Sequence, residues 1–126
     1  MTNYLLDTGV IIDFYKGREG ARRYWEAIRD RKARAAFSTI TEAELWQGLR
    51  GPQEEQKHEV LLSFLERIVV DMHIARRAGN LCRQFHNLAI PDALIAASAE
   101  VIGATLVSKN ITDFEPLQGV IPCEFY

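Results

Sequence analysis

Short, wholly apolar runs alternate along the chain with longer stretches in which apolar residues return every three or four positions. The first pattern predicts buried strands and the second amphipathic helices. Strands are expected at 4–6 (YLL), 35–40 (AAFSTI), 67–70 (RIVV) and 104–108 (ATLVS). A short fifth is expected in VIPCEFY (120–126), where Pro122 suits a sheet edge. Helices are expected at 8–17, 20–33, 41–51, 53–66, 72–88 and 91–103. Gly51-Pro52 stops the third of these; Pro91 opens the last and Gly103 closes it. Apolar strands alternating with helices imply βαβ units, hence an α/β fold whose parallel sheet is covered on both faces. At 126 residues the chain suits a single domain, 1–126, with no repeat or linker.

Composition narrows this picture. An apolar share of 48% and a charged share of 25% are those of a globular protein with a substantial core. No apolar run reaches membrane-spanning length, and Asp7 stands where the apolar segment of a secretory leader would begin. Cys82 and Cys123 are far apart and outside any CxxC pattern, so they read as free thiols. A cytoplasmic protein is the expectation.

Charge is unevenly placed. Between Lys16 and Arg34 eight basic residues face three acids, a local +5, whereas from Gln84 onward one lysine faces five acids. A charge run is ordinarily a solvated helix face. Beside an acidic site it can also hold a polyanion, with Lys16, Arg18, Arg22, Arg23 and the later Lys109 as candidates.

The acids carry the chemistry. In a parallel α/β sheet every strand ends at the same edge, and every following helix begins there. Asp7 ends the first strand. Glu44 is expected in the first turn of the helix after the second strand, Asp92 in the first turn of the helix before the fourth, and Asp113 just after the fourth. All four therefore fall on the carboxyl edge, where open α/β sheets bind ligands if strands one and four are neighbours. Each has a structural use as well: Thr41-x-x-Glu44 matches a capping box, Asp92 suits a helix dipole, and Asn110 to Asp113 reads as a cap with an acid at its third position. Capping does not require all four to share one edge. Two carboxylates 4 Å apart repel by roughly 4 kcal/mol at an effective dielectric near 20. A hard divalent cation, Mg²⁺ or Mn²⁺, reverses that balance. Asp13, six residues past Asp7, is expected to project away from the edge. Glu42 and Asp71 rank below Glu44. The three histidines lack metal-ligand spacing, and no nucleophile elbow or phosphate loop is present.

The stretches YLLDTGVIIDF, STITEAELWQG and IPDALIAASAEVIGATLVSKNITDFEPLQGV resemble, in this order, the successive motifs of PIN-domain ribonucleases. More closely they resemble the VapC toxins of type II toxin–antitoxin systems. The resemblance implies a three-layer α/β/α sandwich with strand order 3-2-1-4-5. It implies Mg²⁺- or Mn²⁺-dependent cleavage of RNA phosphodiesters by an acidic cluster of Asp7, Glu44, Asp92 and Asp113. Asp7 and Asp92 would be direct ligands, and Thr8, Ser108 and Asn110 would orient the carboxylates or water. It further implies a homodimer held in check by a small antitoxin. Position 108 carries serine where the family usually has threonine, and the hydroxyl is kept. The glycine often found just before the family's equivalent of Asp92 is missing. Other readings are an RNA-processing nuclease without a toxin role and a binding module without catalysis. A dehalogenase-like phosphatase would need an aspartate at position 9, which is glycine.

Overall fold

The structure, a computed structural model, describes residues 2–126. In chain order its elements are β1 (Thr2–Leu6), α1 (Thr8–Lys16), α2 (Arg22–Arg29), β2 (Ala33–Ser38), α3 (Thr39–Gln47), α4 (Pro52–Leu62), β3 (Glu66–Ile68), α5 (Met72–Gln84), α6 (Ile90–Ile102), β4 (Thr105–Ser108), α7 (Ile111–Phe114) and β5 (Cys123–Phe125). All strand pairs are parallel, and the order is β3-β2-β1-β4-β5. The α/β/α sandwich and its strand order are those expected.

Alternation along the strands builds two cores. Leu5, Ala36 and Leu106 face one side, where they meet Ile74, Ala78 and Leu81 of α5, the alanines of α6, and Phe114. Leu6, Phe37 and Val107 face the other, against Val10 and Ile11 of α1, Tyr24 and Ile28 of α2, Leu45 of α3 and Leu61 and Leu62 of α4. On α6, Ala93, Ala96, Ala97 and Ala99 are fully buried, and such small side chains let the helix lie close on the sheet. α1 and α6 both end at glycines in the left-handed conformation, Gly17 (φ 66°) and Gly103 (φ 67°). Both cysteines are free.

Several boundaries differ from the pattern. β2 begins at Ala33 and ends at Ser38, two residues short of the expected 35–40 end, because the Ser38 hydroxyl accepts the Ile40 N–H at 3.2 Å and caps α3. Thr39 and Ile40, β-branched and so strand-like in sequence, are helical. The expected 20–33 helix is a short 3₁₀ turn followed by α2, and it stops where Arg31 takes a left-handed φ of 59°. α4 ends at Leu62 and α5 at Gln84, each four residues early. Residues 111–114, unassigned by periodicity, form α7.

Candidate active site

β1 lies between β2 and β4, so the loops after β1 and β4 meet at the switch point of the sheet. Asp7 leaves β1 and caps α1, with Oδ1 accepting the Thr8 N–H at 2.9 Å. Its Oδ2 accepts from the Ser108 hydroxyl at 2.7 Å. Ser108 is the fully buried last residue of β4, and its Oγ also accepts the Asn110 N–H at 2.9 Å. Asn110 caps α7: its Oδ1 accepts the Asp113 N–H at 3.2 Å, and its Nδ2 donates to Asp113 Oδ2 at 2.6 Å. On the other side the Thr8 hydroxyl donates to Glu44 Oε1 at 2.7 Å and lies 3.0 Å from the Thr41 hydroxyl. Asp92 sits in the first turn of α6, after Pro91.

The electrostatics tie these residues into one cluster. Burial raises the Asp92 carboxyl to about 6, helped by the charges of Asp7, Asp113 and Glu44 and by a hydrogen bond with Asp113. Asp7 is also raised. Burial is the main cause, hydrogen bonds from Ser108 and Thr8 oppose it, and Glu44 and Asp113 add to it. The structure thus brings together the four predicted acids and the three predicted orienting residues Thr8, Ser108 and Asn110.

Two expectations need correction. Glu44 is not in the first turn of α3 behind a Thr41 cap. Ser38 is the cap, Thr41 is buried inside the helix, and Glu44 lies a turn deeper, reaching the site through Thr8. Asp13, expected to project away from the edge, is instead tied to the turn after β4 that borders it. It is 2% exposed and takes Lys109 Nζ at 2.9–3.0 Å and the Tyr126 hydroxyl at 2.8 Å. Pattern reading missed this group. Its one trace in the sequence is an acid flanked by Val10, Ile11 and Phe14 on a helix that is otherwise apolar there. Glu42 and Asp71 have other partners. Glu42 forms a two-bond pair with Arg67 at 2.7 and 2.8 Å, and Asp71 caps α5 by accepting the Ile74 N–H.

The candidate basic residues are exposed but mostly engaged. Arg18 lies 3.6 Å from Asp13, Arg22 3.5 Å from Glu19, and Arg23 stacks on the Tyr24 ring at 4.7 Å. Lys16, with Gly48, Arg50 and His58, lines a groove of about 440 Å³ that Glu44 also borders. Lys109 is part-exposed, and its ammonium is paired with Asp13.

The donor chemistry fits a hard divalent cation. The converging ligands are all carboxylate oxygens, three of the four are braced by hydroxyl or amide donors, and the charge of the adjoining lysine is taken by Asp13. Among the described residues no three such groups stand in a metal-binding arrangement.

A parallel sheet covered on both faces, with acids from four segments at its switch point, defines a protein of the acidic-centre α/β class. The chain belongs to the PIN-domain family, whose profile matches residues 4–116. It is 31% identical to Ribonuclease VapC10 of Mycobacterium tuberculosis, over 94% of this chain and 90% of that protein. Among solved structures it resembles a toxin–antitoxin complex from Klebsiella pneumoniae, with TM-score 0.79, 31% identity, and 94% and 95% of the two chains covered. It also resembles a DNA-bound VapBC from Salmonella typhimurium, with TM-score 0.78, 27% identity, and 99% and 98% covered.

Proposed function

We propose that this chain is a divalent-metal-dependent endoribonuclease of the VapC type and the toxin of a toxin–antitoxin pair. The carrying observation is that carboxylates from four separate segments lie at one sheet edge, where burial and the neighbouring acids push the Asp7 and Asp92 carboxyls up. Membership of a family whose relatives are named ribonucleases and crystallise as toxin–antitoxin complexes supports it.

Asp7 and Asp92 would hold Mg²⁺ or Mn²⁺, with Glu44 and Asp113 completing the acidic wall. When bound, the ion supplies a Lewis acid beside the scissile phosphate and makes water a better nucleophile at neutral pH. Ser108 fixes the Asp7 carboxylate plane, Thr8 aims Glu44, and Asn110 holds Asp113. Below its raised pKa, Asp92 carries a proton on its carboxyl; above it, that carboxyl is free to act as ligand. The basic residues Lys16, Arg18, Arg22 and Arg23 neutralise the RNA backbone on its approach. The whole chain is one PIN domain, a homodimer in the cytoplasm, and a small antitoxin inhibits it.

Inducible expression with mapping of new RNA ends tests this reading. Wild type is expected to arrest growth and generate discrete cleavage sites, and Asp7→Asn to do neither. Intact RNA and normal growth on wild-type expression would refute it.

A further inference from the structure

We propose that Asp13 is a positioning residue of the acidic centre, anchoring the turn after β4 through Lys109. The inference rests on the nuclease reading above. The turn comprises three consecutive residues with different attachments: Ser108 holds Asp7, Asn110 holds Asp113, and Lys109 between them reaches back to α1. There the Asp13 carboxylate is 2% exposed, with Lys109 Nζ 3.0 Å from Oδ1 and 2.9 Å from Oδ2. Tyr126 donates to Oδ2 at 2.8 Å, and Arg18 Nε stands 3.6 Å from Oδ1.

The lysine stem packs on α1. A Cβ on Gly9 would lie 3.6 Å from Lys109 Cε, so the lysine stem runs across the first turn of α1, one residue beyond Thr8. Tyr126 is itself held in place. Its ring lies 5.8 Å from that of Tyr24, and a Cβ on Gly20 would come within 3.1 Å of it. The anchor therefore has packing contacts on both sides. Burial works to raise the Asp13 carboxyl, but hydrogen bonds from Lys109 and Tyr126 and the charges of Lys109 and Arg18 outweigh it and hold it below the usual carboxylate range. A buried, ionised carboxylate with this many donors fixes whatever it binds. Here it binds the middle residue of the turn that orients two of the four acids. Neutralising Lys109 by Asp13 also keeps an ammonium from competing with a cation for the acids.

Asp13→Asn, Lys109→Met, Lys109→Arg and Tyr126→Phe can be compared with wild type by thermal melting, Mn²⁺ titration calorimetry and steady-state cleavage of a labelled RNA. In folded Asp13→Asn and Lys109→Met, kcat is expected to fall about 10- to 100-fold and Mn²⁺ affinity by a similar factor, the size typical of residues that orient ligands. KM for RNA should stay within about twofold, because the lysine makes no contact with substrate. The double variant should be no worse than the poorer single one. Lys109→Arg should recover most of the loss, and Tyr126→Phe should show a smaller one even if Asp13→Asn does not fold. Unchanged kcat and Mn²⁺ affinity in folded Asp13→Asn would overturn the positioning role. So would a raised KM at constant kcat in Lys109→Met, which would make the lysine a substrate contact. Wild-type protein that binds Mn²⁺ but leaves RNA intact would instead refute the nuclease reading, and the Mn²⁺ affinities would still judge Asp13. Wild type that does neither would refute both.

Discussion

Asp7 is held by groups that favour its charged form, Ser108 and the Thr8 N–H, against burial and neighbouring acids that disfavour it. Removing its charge should be severe: Asp7→Asn is expected to lower cleavage by at least about 100-fold, the amide oxygen still accepting the Thr8 N–H while the amide nitrogen can only donate toward the Ser108 hydroxyl. Asp92 gives a test by pH. In the folded chain its carboxyl titrates near 6 against an ordinary 3.8. Between those values the native state binds more protons than the unfolded state, so stability falls as pH rises through this window. In EDTA, the melting temperature of Asp92→Asn should exceed that of wild type at pH 7, and the difference should shrink at pH 5. Equal differences at both pH values would show that burial and the neighbouring acids do not raise this carboxyl. At this scale Asp7, Asp92 and Asp113 were legible as acids at a strand end or helix start on one sheet edge, whereas Glu44 was assigned to a first turn that Ser38 in fact caps a turn earlier. Asp13 was not legible, because Lys109 and Tyr126 lie 96 and 113 residues away and no local spacing reveals them.

Among elements, the β2–α3 junction shows where pattern reading slips. Thr39 and Ile40 extend the apolar run of β2, but the Ser38 hydroxyl ends the strand by capping the helix. A hydrogen bond local to three residues outweighs the strand preference of two. Ser38→Ala should cost about 1 kcal/mol in urea unfolding, as for other lost caps. Glu44 is carried by α3, so the same variant should also lose activity under fully folding conditions. A loss of stability with full activity would mean that the start of α3 does not position Glu44. The remaining elements were legible from the alternation of short apolar runs with amphipathic ones. Helix ends were less so, because α2, α4 and α5 stop at local turn geometry and not at a change in hydrophobic period.

Over the whole molecule, the separation of charge suits cleavage of a polyanion, with acids at the switch point and a basic run on α1, α2 and their connection. If that run meets RNA, Lys16→Ala and Arg22→Ala should weaken binding of unrelated RNA sequences alike. Each should reduce the slope of log affinity against log salt by about 0.7 per lost phosphate contact on a single strand. An unchanged slope would remove the run from the interface. Strand order connects all three scales. It places β1 beside β4, and this adjacency brings residues 101 positions apart, Asp7 and Ser108, within 2.7 Å. The most direct measurement of the central claim is calorimetric titration of Mn²⁺ into wild type and Asp92→Asn at pH 7. Saturable binding in wild type that is lost in the variant is the predicted result; identical isotherms, or no binding by wild type, would contradict it.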